Sequence, residues 1–176
     1  MTTWKIDTAH TQVNFSAKHM MVTNVRGTFH DVDGTIELDE NDPTRSRGAF
    51  RVGTASVDTN FVARDTHLRS PDFFDAERFP ELGFASKTIE RKGDEVTIDG
   101  ELTLRGVTKS VTITGTVVGP TPDAGVSGPI QRLALDIETT IDRREFGIEW
   151  NRDLPSGDPA LSNDVKITAN LALVQA

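Results

Sequence analysis

The sequence predicts an all-β fold: a closed antiparallel β-barrel of about eight strands with one short helical insert at about residues 60–75. Three observations lead there. Apolar and polar residues alternate over most of the chain with the period of a half-buried strand. Turn-forming residues punctuate that alternation at short intervals. One stretch alone, Thr59–Pro80, breaks the pattern. Long strands with one apolar face each would leave exposed edges in an open sheet, and closure removes them. Strands of ~10 residues rise roughly 33 Å, so any internal space would be long and narrow.

Trp4 and Ile6 alternate with Lys5 and Asp7, and Val13, Phe15 and Ala17 resume the phase, giving two short strands or one bent one. Val25, Gly27 and Phe29 form the next strand, and Asp33-Gly34 is a turn or bulge signal ahead of Ile36 and Leu38. Glu40–Thr44 is a loop by composition. Strand character returns from Ala49 to Val57, with Phe50 and Val52 in phase. In the stretch that breaks the pattern, Asn60 is the expected N-cap of a short helix that ends before Pro71. Ser70-Pro71 can open a second turn. Phe61, Leu68, Phe73, Phe74 and Phe79 carry too much apolar surface to leave in water at roughly 25 cal/mol per Å². The insert is therefore expected to lie as a lid against a core or a ligand.

Beyond Pro80, Leu82, Phe84 and Ser86 share a phase, and the turn Arg91–Glu95 leads to Val96, Ile98, Gly100, Leu102 and Leu104. Arg105-Gly106 makes a tight turn into Val111, Ile113, Gly115 and Val117. Gly119–Pro129 is the longest expected loop, from its glycine and proline content. Two long strands follow, one carrying Leu133, Leu135, Ile137, Thr139 and Ile141. The other, past a loop from Asn151 to Asn163, carries Val165, Ile167, Ala169, Leu171 and Leu173. Glycines 27, 100 and 115 fall on apolar phases, where a missing side chain leaves room for a kink or a guest. Gly115→Phe is expected to block such an interior without unfolding the chain.

With 176 residues, 36% of them apolar, the chain can bury one substantial core, and a single domain over residues 1–176 suffices. There is no cysteine, which excludes thiol catalysis and thiolate metal sites. The balance of 27 acidic against 19 basic residues, net −8, disfavours a surface that tracks phosphates, so no nucleic-acid partner is expected. No run approaches the ~18 apolar residues of a membrane helix. The opening MTTWKID lacks the pattern of a secretory leader, so a cytoplasmic location is the expectation. No G-x-S-x-G motif occurs, and the carboxylates fall almost everywhere out of phase with the apolar faces; no catalytic residue is expected. Histidines 10, 19, 30 and 67 include no pair at metal-binding spacing, and no metal is expected.

W-K-I-D-x-x-H-T-x-V-x-F from Trp4 to Phe15, V-R-G-T-F at Val25–Phe29 and R-D-x-H-L at Arg64–Leu68 form an ordered series. D-F-F at Asp72–Phe74, Phe79-Pro80 and G-x-L-T-L-R-G-V-T-K at Gly100–Lys109 continue it. In order and spacing the series resembles the YceI-like family over nearly the whole chain. The resemblance implies a lipocalin-like barrel enclosing an apolar tunnel that binds polyisoprenoid chains, including isoprenoid quinones, with no established catalysis. It implies no cofactor beyond such a ligand, with a homodimer and transient membrane contact as further expectations. Some relatives carry a secretory leader that this sequence does not show.

The expected ligand contacts follow from phase and from the insert. Phe15, Val25, Phe29 and Phe84 come from early apolar faces, and Leu102, Ile113, Leu135 and Ile137 from later ones. Leu68, Phe73 and Phe74 come from the lid, and because Phe73 and Phe74 are adjacent they cannot both face the same way. His19, in phase with Phe15, reads as a polar anchor, and Met20 beside Met21 as an adaptable apolar rim. Arg64 and His67 would meet a quinone carbonyl or a lipid phosphate at the mouth. Alternatively, Arg64 and Asp65 pair within the chain and pin the lid.

The reading is of a carrier or sequestering protein for a long apolar lipid. Burying ~40 carbons from water at ~0.8 kcal/mol each would exceed the ~20 kcal/mol at which non-covalent affinity saturates. Chain ordering consumes the excess, and exchange with a bilayer is close to neutral. The alternatives are an enzyme acting on a small apolar substrate and a stress or interaction protein with a packed barrel.

Overall fold

The computed structural model describes residues 1–124 and 130–176. Its strand segments in the first half are β1 (Thr2–Ile6), β2 (Gln12–His19), β3 (Thr23–Phe29), β4 (Val32–Leu38), β5 (Arg47–Gly53) and β6 (Val57–Asp58). After the helix α1 (Val62–Arg69) come β7 (Glu81–Lys92), β8 (Glu95–Leu104), β9 (Val107–Asp123), β10 (Ile130–Asp142) and β11 (Asp164–Gln175).

The first six segments are three bent strands. A 3-10 turn at Thr8–His10, whose N–H at Ala9 donates to the Asp7 carboxylate at 3.1 Å, separates β1 from β2. β1 pairs with β4 and β2 with β3, while β4 pairs with β5 and β3 with β6, so each bent strand stays beside its neighbour on both sides of its bend. Every pairing is antiparallel between strands adjacent along the chain, except the one that closes the ring. β11 meets β10 along one edge; along the other it meets β2 (Ile167 opposite Phe15) and then β1 (Leu173 opposite Ile6). The result is the expected closed eight-stranded antiparallel barrel with one helix.

Four local expectations are corrected. Asp33-Gly34 is not a turn but lies inside β4, opposite Arg51 and Phe50 of β5, where the Phe50 ring covers Gly34 and would collide with any Cβ. Much of the expected Gly119–Pro129 loop is strand: β9 runs on to Asp123, opposite Ile130 of β10. Pro120 and Pro122 are tolerated because β8 begins at Glu95 opposite Thr116, so β9 has outrun it and a missing N–H leaves no bond unmade. Residues 125–129 of that loop lie outside the described residues. Asn60 does not cap α1: it adopts φ 60°, its N–H donates to Asp58, and Phe61 takes the N-cap position with no side-chain bond. Phe61 is 60% exposed and lies outside the core, with the Arg64 guanidinium over its ring.

Nor do the in-phase glycines leave space. The Cβ position of Gly27 is taken by the Phe15 ring, and that of Gly100 by the Phe84 ring and the Ala85 carbonyl. At Gly115 the backbone of Asp136 and Ile137 comes so close that a side chain would part β9 from β10. Gly115→Phe therefore disrupts the sheet and does not serve as a plug.

The barrel is packed at the end away from α1. Trp4 and Leu173, at most 1% exposed, interlock there with Ile36, Val96, Val117 and Leu133. At the other end, Phe73 joins Leu102, Leu104, Ile141, Phe146 and Ile148 beneath the insert.

Candidate functional site

Between the packed floor and α1 the strands enclose a cavity of about 340 Å³. Its walls are the inward phases of the sheet. β2 supplies Val13, Phe15, Ala17 and His19, β3 supplies Val25 and Phe29, and β7 to β11 supply Phe84, Leu102, Ile113, Leu135, Ile137 and Ile167. Phe15, Phe84, Ile113 and Ile167 are only partly buried although they pack with the core, so the surface they keep faces the cavity. The floor residues Trp4, Ile36, Val96, Val117, Leu133 and Leu173 do not touch it.

The insert roofs this space with Leu68, Phe73 and Phe74, which contact different parts of the barrel. The Phe74 ring lies 5.5 Å from Phe29 and 6.2 Å from Phe15, edge-on to both. Phe73 lies 4.9 Å from the His67 ring and 5.4 Å from Trp150, with His67 and Trp150 themselves 4.8 Å apart. The roof is fastened by polar groups. The buried Asp65 carboxylate accepts from the Thr59 N–H at 2.8 Å and from its hydroxyl. Arg64 donates to the Thr59 hydroxyl at 2.7 Å and carbonyl at 2.8 Å, and Arg69 donates to the carbonyls of Ala55 and Val57. Arg105, from the β8–β9 turn, donates to the Phe73 carbonyl at 2.8 Å.

Fourteen of the residues expected from the sequence therefore line the cavity; Met20 does not. Met20 and Met21 both take positive φ (56° and 60°) in the turn after β2. That turn carries the Met20 side chain outside, 37% exposed, with its sulfur 4.0 Å from Arg152. Arg64 pins the lid through Thr59, as the alternative reading expected, and borders the cavity. His67 also borders it, and its Nε2 shares a hydrogen bond with Asp72 at 2.8 Å.

The sequence reading missed the segment from Arg143 to Leu161, which supplies Arg143, Ile148, Trp150, Arg152 and Leu161 to the lid end. The signal lay in Phe146, Ile148 and Trp150, a period-2 run ahead of the expected loop. Arg143 is 3% exposed. Its Nε donates to the Ser162 carbonyl at 2.9 Å, and one terminal nitrogen donates to the carbonyls of Ile148 (2.9 Å) and Trp150 (2.8 Å). Nη2 has no partner among the described residues. Burial pushes the Arg143 pKa down, against the attraction of Asp142. No carboxylate lines the cavity among the described residues; the polar or charged residues at its border are His19, Arg64, His67, Thr139, Arg143, Trp150 and Arg152, and the cavity surface itself is almost wholly apolar.

Of the remaining histidines, His10 pairs with Asp7 and His30 with Asp58 on the outer surface. Among the described residues, no group of three or more His, Asp or Glu side chains is arranged to hold a metal.

Protein YceI of Escherichia coli O157:H7 is 38% identical over 148 residues, which cover 83% of this chain and 76% of that protein. Its counterpart in Salmonella newport (strain SL254) is 38% identical over 147 residues, 82% of this chain and 75% of that protein. Among solved structures, Burkholderia cenocepacia BcnA superposes with a TM-score of 0.81 at 21% identity, covering 95% of this chain and 98% of that one. The Campylobacter jejuni YCEI protein gives 0.73 at 25% identity, with 90% of each chain covered. A polyisoprenoid binding domain from Saccharophagus degradans, implicated in plant cell wall breakdown, gives 0.72 at 12% identity over the full length of both. The sequence pattern of the YceI-like domain matches residues 4–173, and with that match the chain belongs to the YceI-like family.

Proposed function

We propose that this protein binds and carries a long apolar lipid, a polyisoprenoid or isoprenoid quinone, in the cavity beneath α1, without catalysing a reaction on it. The observation that carries this reading is an apolar cavity kept open inside the barrel and roofed by a separately fastened helix. A barrel packed solid has no such space. Removing apolar chain from water is worth ~0.8 kcal/mol per carbon, so even partial filling supports useful affinity. The Saccharophagus degradans domain shares only the fold at 12% identity, so its binding of polyisoprenoids is an example of what this architecture accommodates.

Loading from a bilayer fits the lid end. Val22 and Val62 are more than 80% exposed, and Met21 and Phe61 56% and 60%, on the β2–β3 turn and the start of α1. Such residues can touch the acyl boundary of a membrane during transfer.

The test is organic extraction of protein purified from its native cells, followed by mass spectrometry, together with exposure of the stripped protein to prenyl lipids. A prenyl lipid that co-purifies near one per chain, or reloads to that level, is the expected result. Failure of both would reject the carrier reading.

A further inference from the structure

The β2–β3 hairpin carries a charge pattern unlike the rest of the chain. None of the 27 acidic residues falls between Thr8 and His30, the longest stretch of the sequence without Asp or Glu, and that stretch contains the whole hairpin. Its fixed charges are Lys18 on β2 and Arg26 on β3. Both are exposed, and neither forms an ion pair among the described residues. Beside the tip, exposed Arg152 reaches the Met20 sulfur and likewise has no carboxylate partner there. Carboxylates near this end belong to neighbouring elements. Asp58 accepts from His30 and the Asn60 N–H, Asp158 accepts from the Ser156 hydroxyl, and Asp153 and Asp164 stand exposed at the two ends of the stretch that leads into β11.

Between the two cations the hairpin tip is apolar and held in shape. The Val22 N–H donates to the His19 carbonyl at 3.2 Å, and the Thr23 hydroxyl donates to the same oxygen at 3.4 Å. Met21 and Val22 project from this turn into solvent. A turn already fixed loses little freedom when it meets a partner. Lys18 precedes Met21 by three residues and Arg26 follows Val22 by four, so the cations lie at most roughly 10 and 13 Å behind the tip at ~3.3 Å per residue. Apolar side chains seated ~5–10 Å into the headgroup and acyl boundary of a bilayer then leave both cations at the level of the phosphates. The start of α1 stands alongside: Asn60 borders the same surface trough as Asn24 and Arg26, and exposed Phe61 and Val62 follow it. Two apolar prongs with asparagines at their base suit a fluid lipid surface, whereas a protein face packs against one continuous patch.

We infer that the outer surface of the β2–β3 hairpin tip, with the start of α1 beside it, docks on an anionic phospholipid bilayer, Met21, Val22 and Val62 entering the acyl boundary while Lys18 and Arg26 hold headgroup phosphates. This rests on the lipid-carrier reading and names the kind of membrane that exchanges cargo with the cavity. His19 and Val25 of the same hairpin line the cavity, so docking brings its lid end against the leaflet. The net charge of −8 repels the molecule at large from such a leaflet. Screening over ~8–10 Å restricts the interaction to the nearest charges, and the carboxylate-free hairpin presents cations there.

The experiment measures co-flotation of the full chain with vesicles of phosphatidylcholine alone, or of equal parts phosphatidylcholine and phosphatidylglycerol, alongside uptake of geranylgeraniol from a cyclodextrin complex. Native protein should bind the phosphatidylglycerol vesicles at least about tenfold more tightly than the others and lose most of that advantage in high salt. Each cation near an anionic leaflet is worth about fivefold, so the double variant Lys18→Gln/Arg26→Gln should lose roughly 25-fold on phosphatidylglycerol vesicles and little on phosphatidylcholine. Val22→Asp should weaken binding to both. Uptake from cyclodextrin, which needs no bilayer, should be alike in all three proteins. Equal binding of native protein to the two vesicles, binding that salt leaves unchanged, or undiminished binding by the double variant would overturn the docking surface. Native protein that floats with neither vesicle would overturn it too and leave the prongs to a protein partner. The salt series needs no substitution, so it decides the matter even where a variant fails to fold. Failure of native protein to take up geranylgeraniol from cyclodextrin would count against the carrier reading instead, with vesicle binding still judging the docking surface.

Discussion

Ile113 and Gly115 stand two residues apart on the same face of β9, yet they answer to different neighbours. Ile113 keeps surface toward the cavity, so Ile113→Trp grows into open space; it should fold cooperatively and change stability by no more than about 1–3 kcal/mol, read by denaturant melts. Gly115 touches the backbone of β10, and Gly115→Phe should cost more than about 4 kcal/mol or fail to fold. A stable Gly115→Phe variant would contradict this packing. Phase in the sequence grouped the residues that share a face, but told neither which face of the early strands turns inward nor how close the next strand passes. For that reason the grouping of the wall residues from Phe15 to Ile137 was legible while the meaning of Gly115 was not. Arg143 was illegible for a related reason: its importance comes from three carbonyls brought to it by Ile148, Trp150 and Ser162, which sequence spacing does not reveal.

At the level of elements, the lid depends on a few polar clasps more than on its own helical stability, since α1 has only eight residues and no side-chain N-cap. Removing the Asp65 carboxylate strands the buried Thr59 N–H. Asp65→Ala should therefore cost about 1–3 kcal/mol and raise hydrogen exchange across α1 ahead of the barrel. Asp65→Asn, which keeps an acceptor, should do less; equal protection of α1 in native protein and Asp65→Ala would refute the clasp. A second tie joins the β1–β2 bend to β10, where Arg132 bonds Asp7 at 2.7 Å and Asp123 at 2.6 Å. Arg132, and then His10, hold the Asp7 pKa below its ordinary 3.8, and Arg144 does the same for Asp142. Because these folded-state values are depressed, their stabilisation is full above the unfolded value and fades as pH falls below about 4. Asp7→Asn should flatten the acid limb of a melting-temperature profile while leaving neutral-pH ligand loading unchanged. A limb as steep as that of native protein would count against the tie. The lid's existence was readable from the break in periodicity at Thr59–Pro80, but its true cap and the outward turn of Met20 depend on positive-φ geometry that composition does not specify.

For the molecule as a whole, closure of β11 onto both halves of the first bent strand gives one end sealed by Trp4 and Leu173 and one end roofed by the helical insert. A roofed end and a blocked floor together bound a container of finite depth. At about 340 Å³ it lies near the small end of ligand pockets, so affinity across a series of prenyl chains should climb with length and then level off once the cavity is full. Continued steep gain up to the longest chains would mean a passage through the floor. The closed antiparallel barrel was legible because alternation over most of the chain and the need to remove exposed edges suffice to call it; the seal was not, because both phases of a strand look alike until the opposite wall is known. The central claim is tested most directly by incubating stripped protein with vesicles containing a long-chain isoprenoid quinone and counting quinone per chain after separation. Native protein should load close to one and Ile113→Trp close to none, with both still folded; equal loading of the two would contradict the assignment of the cavity as the lipid site.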